Sequence, residues 1–458
     1  MNSPRDTWSG RTGFLLATIG SAVGIGSIWK FPYEVGSNGG GAFVLCYLAG
    51  LVLIVVPLMF AEFAIGRRGG GDPAASIRAV AQASGTGRHG TGWPVVGIVG
   101  VLTGFLILSF YSVIGGWTLG YAIDTATQGL AGANPQAVKT RYDEFLAAPV
   151  QMTLYHAIFM AVTAVIVARG VAHGIETASK VLMPMLGVLM LALAGYSIVE
   201  GDFATTLRYL FVPDFAHLTA RTVLDALGLG FFSIGVGLGL MITYAAHAGS
   251  NVSLKEIAVV SVLADTGISF LAGFAVFPLV FAHGLDPASG PGLVFVTLPL
   301  AFAQMPFGTL AASAFFLLLF VAALASAISM LELVVAMLVR RFGWTQGRAS
   351  AIAAVVCFVA GIATVLSFNA WAGWYPLAGL SSKLASATVF DLLDGLTSNV
   401  LLPAGGFGLA IFAGWFMPQR LLDEELGLTP GGARILRALL RYVAPVGIGA
   451  VAIGSMLA

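Results

Sequence analysis

Charge is scarce in this chain. Of 458 residues, 22 are Lys or Arg and 21 are Asp or Glu, 9% in all, against about 25% in a soluble globular protein. That excludes a water-exposed enzyme and a charge-rich disordered regulator. A net charge of +1 provides no basic face for DNA or RNA. Cysteine is nearly absent. Cys46 and Cys357 each sit inside an apolar stretch, so no disulfide framework is implied. The six histidines are scattered without metal-ligand spacing, so no structural metal is predicted. Alternation is missing too: Leu51 to Met59 is continuously apolar, which excludes a membrane barrel.

Apolar residues and glycine are abundant. Hydrophobic residues make up 58% of the chain, and Gly occupies 59 positions. A helix needs about 20 apolar residues to cross a bilayer core of roughly 30 Å. Eleven spans are predicted, at 12–35, 41–66, 92–125, 150–168, 175–199, 220–248, 256–283, 308–339, 349–366, 386–417 and 436–456. The polar leader Met1 to Arg11 carries no small-residue cleavage site, so span 1 is expected to be retained. With the N-terminus inside, 16 basic residues fall on inside segments and 6 on outside ones. The positive-inside rule therefore places the N-terminus in the cytoplasm of an inner membrane, with the C-terminus on the periplasmic or extracellular face.

Two spans are interrupted. Span 1 holds Gly20-Ser21-Ala22-Val23-Gly24-Ile25-Gly26, and span 6 holds Ser233-Ile234-Gly235-Val236-Gly237-Leu238-Gly239. They lie an odd number of spans apart and so cross in opposite directions. Breaking a helix frees carbonyls for a cation and N–H groups for a carboxylate. Paired breaks in inverted halves point to a transporter site. Close helix packing through Gly20 and Gly24 is the plain alternative for one cluster taken alone. Glu62, Asp225, Asp265 and Glu332 lie within or near spans, where an acid needs an interior partner or a function in proton transfer. His247, near the end of span 6, is a further titratable group.

Trp8, the Gly20–Gly26 run, Trp29-Lys30-Phe31-Pro32-Tyr33 and Asn38-Gly39-Gly40-Gly41-Ala42-Phe43 resemble the neurotransmitter:sodium symporter family. The likeness is greatest to its bacterial amino-acid transporters. It continues through Trp117-Thr118-Leu119-Gly120, Gly174-Ile175-Glu176, Phe231-Phe232-Ser233 and Phe390-Asp391. The resemblance implies an all-α leucine-transporter fold: two inverted five-helix repeats, residues 1–199 and 200–417, broken at 22–26 and 233–239. Residues 418–458 add a cytoplasmic loop and an eleventh helix.

By position, the substrate residues implied are Ala22, Gly24, Gly26, Ile107, Tyr111, Phe232, Ser233, Gly235, Leu238, Ser326 and Met330. Monoamine carriers of this family place an aspartate where Gly24 stands, so an α-amino acid is implied, and the apolar members imply a neutral apolar or aromatic one. A second sodium site is implied at Gly20, Val23, Ala322 and Ser326, reduced by Ala325. A first site at Ala22, Ser27 and Ser233 is weakened because the family's asparagines align to Ser27 and Ala264. The implied gates are Lys30 with Asp394, Phe232 as lid, and Arg5, whose usual acidic partner aligns to Arg340. The predicted function is Na⁺-coupled amino-acid import by alternating access. A proton-coupled or sodium-independent carrier, or a non-transporting amino-acid sensor, remains open. An enzyme is not expected, since no nucleophile–base pair or metal cluster is present. The expected partners are an amino acid and the lipid bilayer, with no nucleic acid.

Overall fold

The computed structural model describes residues 7–84, 92–130, 134–287, 293–380 and 384–457. Arg5 lies outside these, as do Arg88 and Lys383 of the charge count. Among the described residues, nine continuous helices are long and apolar enough to cross a membrane. They are Gly41–Gly69, Pro94–Gln128, Pro149–Ala168, Val171–Glu200, Leu254–Ala282, Gly308–Phe342, Gln346–Ser367, Val389–Phe416 and Pro430–Ser455. These are spans 2 to 5 and 7 to 11. Span 1 is the bent pair Arg11–Ala22 and Gly26–Ser37, angled by 51°. Span 6 is Ala220–Ile234 followed, after a turn, by Leu240–Ala245.

The starts are set by local chemistry. Pro94, Pro149 and Pro430 open their helices, where the missing N–H costs nothing. Thr345 and Thr388 cap spans 9 and 10. Spans 3 and 8 are apolar on every side and form the centre, with 72% and 83% of their most apolar windows buried. They pack along each other. Spans 4, 5 and 11 lie at the rim, where the buried share falls to about a third. Both broken spans lie against this centre, and that placement puts irregular backbone inside protein rather than in lipid.

Candidate functional site

The first half of span 1 ends at Ala22, and Val23 is extended (φ −77°, ψ 108°). A π-helical turn resumes at Gly26. Two side chains from the central spans serve the broken backbone. Tyr111 Oη of span 3 accepts from Ile25 N–H at 3.3 Å. Ser326 Oγ of span 8 donates to the Val23 carbonyl at 3.3 Å. Gly24 faces both: a Cβ there would stand 2.5 Å from Ser326 Oγ and 3.1 Å from Tyr111 Oη.

Span 6 breaks through three left-handed glycines, Gly235 (φ 69°), Gly237 (φ 94°) and Gly239 (φ 85°). Only glycine adopts such a run without strain. The N–H groups freed at the start of Leu240–Ala245 are met by Glu62 of span 2, which is fully buried. Its carboxylate accepts from Gly237 N–H at 2.6 Å and Met241 N–H at 3.2 Å. Glu62 is therefore a cap on the second half-helix. Glu62→Ala removes both acceptors, and each buried donor left unpaired costs about 1–3 kcal/mol. The expected outcome is a marked fall in the thermal unfolding midpoint, with a smaller fall for Glu62→Gln. An unchanged midpoint for the alanine variant counts against the capping role.

Between the two breaks lies a small cavity of about 50 Å³. Its walls bring together Gly24, Gly26, Ile107, Tyr111, Phe232, Ser233, Gly235, Leu238, Ser326 and Met330. Ala22 is not among the walls, and its side chain is buried in the core. Ser21, Leu240 and Leu402 are wall residues that sequence reasoning missed. Leu402 belongs to span 10 and stands in no motif. Gly26, Tyr111 and Phe232 also line a second cavity of about 550 Å³, at the Lys30 end. Phe232 thus stands between the small cavity and the large one.

A cluster of side-chain oxygens sits beside the cavity. Ser27 Oγ and Ser233 Oγ are 3.0 Å apart. Asp265 accepts from Ser27, and its two oxygens lie 3.3 and 3.2 Å from Ser233 Oγ. Asp265 is fully buried, while Ala264 is only half-buried. The residue that meets Ser27 from span 7 is therefore Asp265, one position beyond the Ala264 that the family resemblance implies. A carboxylate replaces a methyl group at this point, so the cluster is richer in oxygen than the sequence reading allowed. On the other side of span 1, a Cβ at Gly20 would stand 3.5 Å from the Ala325 Cβ, and Val23 meets Ser326. Ala322 is buried one turn before Ser326 on the same face.

The remaining acids have structural partners. Glu332 accepts from Gln346 Nε2 at 2.7 Å. Asp225 is partly exposed and lies 3.6 Å from Arg221, one turn away. His247 presents its carbonyl to Trp8 N–H at 3.3 Å.

At the Lys30 end, Lys30 Nζ lies 4.3 Å from the Phe232 ring centroid. Asp394 accepts from Ser398 at 2.9 Å. Both Lys30 and Asp394 line the larger cavity, and no ion pair joins them among the described residues. The opposite end is closed by several contacts. Trp8 Nε1 donates to the Tyr244 carbonyl at 2.9 Å. Glu176 accepts from Ser9 N–H at 2.8 Å and pairs with Lys180 at 2.6 Å. Arg11 pairs with Glu256. Arg67 bridges Glu425 at 2.6 Å and the Val252 carbonyl at 2.7 Å. Arg340 lies 3.7 Å from Asp72, which supplies it with an acid from the segment after span 2.

Two antiparallel spans broken at one level, with a cavity open toward one end and sealed at the other, define a secondary transporter. The sequence model of the Sodium:neurotransmitter symporter family matches residues 5–141 and 140–393. A relative in Bacillus subtilis (strain 168), the uncharacterized sodium-dependent transporter YhdH, is 36% identical over 96% of this chain and 95% of its own length. An uncharacterized sodium-dependent transporter of Haemophilus influenzae is 30% identical over 92% of each chain. The crystal structure of MhsT in complex with L-phenylalanine superposes with a TM-score of 0.89 at 40% identity, covering 99% of this chain and 100% of that one. The chain belongs to the sodium:neurotransmitter symporter family. Its fold is the leucine-transporter fold, two inverted five-helix repeats with an eleventh helix.

Proposed function

We propose that this symporter imports a neutral apolar or aromatic amino acid, with its N-terminus in the cytoplasm and its C-terminus outside an inner membrane. The observation that carries this reading is the chemistry around Gly24. No acid stands there, so an amine without a carboxylate lacks a counter-charge. A carboxylate has donors at hand in Tyr111 Oη and the freed N–H groups of the break. The walls toward Ile107, Phe232, Leu238 and Met330 are apolar. L-Phenylalanine bound to MhsT supports the same class.

At about 50 Å³ the inner cavity is too small for an aromatic side chain. Phe232 must swing for it to join the larger space above. In this reading the substrate enters past Lys30 and Phe232, then Phe232 closes over it, and Lys30 approaches Asp394. Opening at the Trp8 end follows release of the Trp8–Tyr244, Ser9–Glu176 and Arg11–Glu256 contacts. The same reading assigns Arg5, outside the described residues, a part in this inner gate. Residues 1–199 and 200–417 form the two halves that move against each other, followed by the loop and helix of 418–458.

Na⁺ is cargo in this scheme. The Ser27, Ser233 and Asp265 oxygens with the Ala22 carbonyl form one proposed site. The carbonyls of Gly20, Val23 and Ala322 with Ser326 Oγ form the other. Hard cations take oxygen ligands, and an added carboxylate strengthens the first set. The Asp265 cluster also favours a second reading, in which its carboxylate carries a proton in place of Na⁺.

Uptake into proteoliposomes, with Na⁺ and H⁺ gradients imposed independently, tests both. The expected result is accumulation of phenylalanine, tryptophan or leucine that stops when choline replaces Na⁺. Uptake that ignores choline replacement and follows the pH gradient selects the proton reading. Uptake confined to glutamate or lysine overturns the substrate class.

A further inference from the structure

Span 11 begins with an unusual stripe. Arg434, Arg437 and Arg441 follow one another at spacings of three and four, on one helix face. Counting about 20 residues back from Ser455 places Arg434 and Arg437 at the membrane boundary and Arg441 about one turn inside it. Two of the three guanidinium groups are anchored on the last turn of span 10. Arg437 Nη1 donates to the Ala413 and Met417 carbonyls at 3.2 and 2.6 Å. Arg441 Nε donates to the Gly414 carbonyl at 2.6 Å. A guanidinium has five N–H donors, so these contacts orient each group and leave most of its donors unused. Arg434 is exposed and, among the described residues, bonds only the Pro430 carbonyl of its own helix, at 3.3 Å. No ion pair among the described residues uses any of the three.

These arginines border a cavity of about 580 Å³. One acid, Asp423, also borders it, and it accepts from Gln419 at 2.9 Å. Three positive charges against one negative leave the recess cationic. The surroundings are those of a lipid boundary. Arg441 stacks 5.2 Å from Trp415, and Trp415 meets Tyr442 edge-on at 5.8 Å. Both rings are about half exposed, as in an interfacial aromatic belt. Beyond them Val443, Val446 and Ile453 present an uncovered apolar strip along span 11.

We propose that this recess binds the phosphate of an anionic glycerophospholipid, with the acyl chains along the exposed strip of span 11. Charge complementarity selects the headgroup, and the strip selects a lipid over free phosphate. Basic recesses between spans recognise such headgroups. The proposal does not depend on which cargo the transporter carries.

The test is native mass spectrometry of the full-length protein released from nanodiscs of mixed phosphatidylglycerol and phosphatidylcholine. The parent is expected to retain phosphatidylglycerol in preference to phosphatidylcholine. Arg434→Gln is expected to lower that retention about fivefold, as for one basic group near an anionic surface. Arg434→Lys is expected to restore most of it. The unfolding midpoint in neutral detergent shows that each variant is folded, since Arg434 bonds nothing outside its own helix among the described residues. Equal retention of the two lipids, or unchanged retention in folded Arg434→Gln, overturns the proposal. Displacement of the lipid by millimolar inorganic phosphate overturns the lipid assignment in favour of a free-anion site.

Discussion

Replacing Gly24 with leucine abolishes substrate binding while leaving the protein folded. The Cβ alone would come within 2.5 Å of Ser326 Oγ and 3.1 Å of Tyr111 Oη. The rest of the side chain has only the small cavity to enter, about 50 Å³ in volume. Two costs compete. Overpacking a core position destabilises by about 1–3 kcal/mol, which a structure of eleven packed spans tolerates. Binding is hit harder, because the new side chain occupies the substrate's place and pushes Tyr111 from Ile25 N–H. Labelled phenylalanine binding, measured beside the unfolding midpoint, checks this. Affinity within about threefold of the parent, less than 1 kcal/mol, would sink the placement of the substrate at Gly24. Gly24→Ala is expected to weaken binding less, since Ser326 can rotate away from a single methyl group.

Asp265→Ala should shift the Na⁺ dependence of binding by about ten- to a hundredfold, since a charged hydrogen-bonding or ligating group is worth about 1.5–3 kcal/mol. The fold should survive. Ser27 Oγ and Ser233 Oγ are 3.0 Å apart and remain partners for each other when the carboxylate is gone. Asp265→Asn keeps one oxygen acceptor and should shift the dependence less. A Na⁺ titration of substrate binding reads this directly. The same midpoint in parent and alanine variant would place the ion elsewhere, at the Val23–Ser326 level. If the parent instead follows the proton gradient, Asp265→Asn should abolish that response and leave counterflow intact.

The two readings of Asp265 show where sequence reasoning stopped. The sequence marked it as a buried acid in need of a partner, and separately marked Ser27 as a sodium position short of one. It did not join them, because nothing local in span 7, where Gly267 lies two residues beyond Asp265, fixes which face of the helix meets Ser27. A shift of one residue turns a helix face by about 100°, enough to exchange Ala264 for Asp265. Arg340 is a second case. Read along the chain it opposes Arg5, which is like-charged. In the structure it lies by Asp72, on a different segment. Leu402 is a third case, an unremarkable leucine brought to the cavity wall by the packing of span 10.

Other features are legible in the sequence alone. Few charges and long apolar runs imply a polytopic helical protein, because lipid offers backbone groups no partner. The glycine clusters mark both breaks, at Val23–Gly24 and Gly235–Gly239: in span 6 the left-handed backbone requires that residue type, and in span 1 Gly24 lacks the Cβ that Ser326 and Tyr111 would meet. Spacing at i and i+4 aligned Ile107 with Tyr111 and Ser326 with Met330. These are properties of neighbouring residues. The oxygen partners of Asp265, the capping of span 6 by Glu62 and the cationic recess between spans 10 and 11 join residues up to 238 positions apart. They depend on the rotation and depth of one helix against another. Side-chain packing sets both, and no local pattern encodes them.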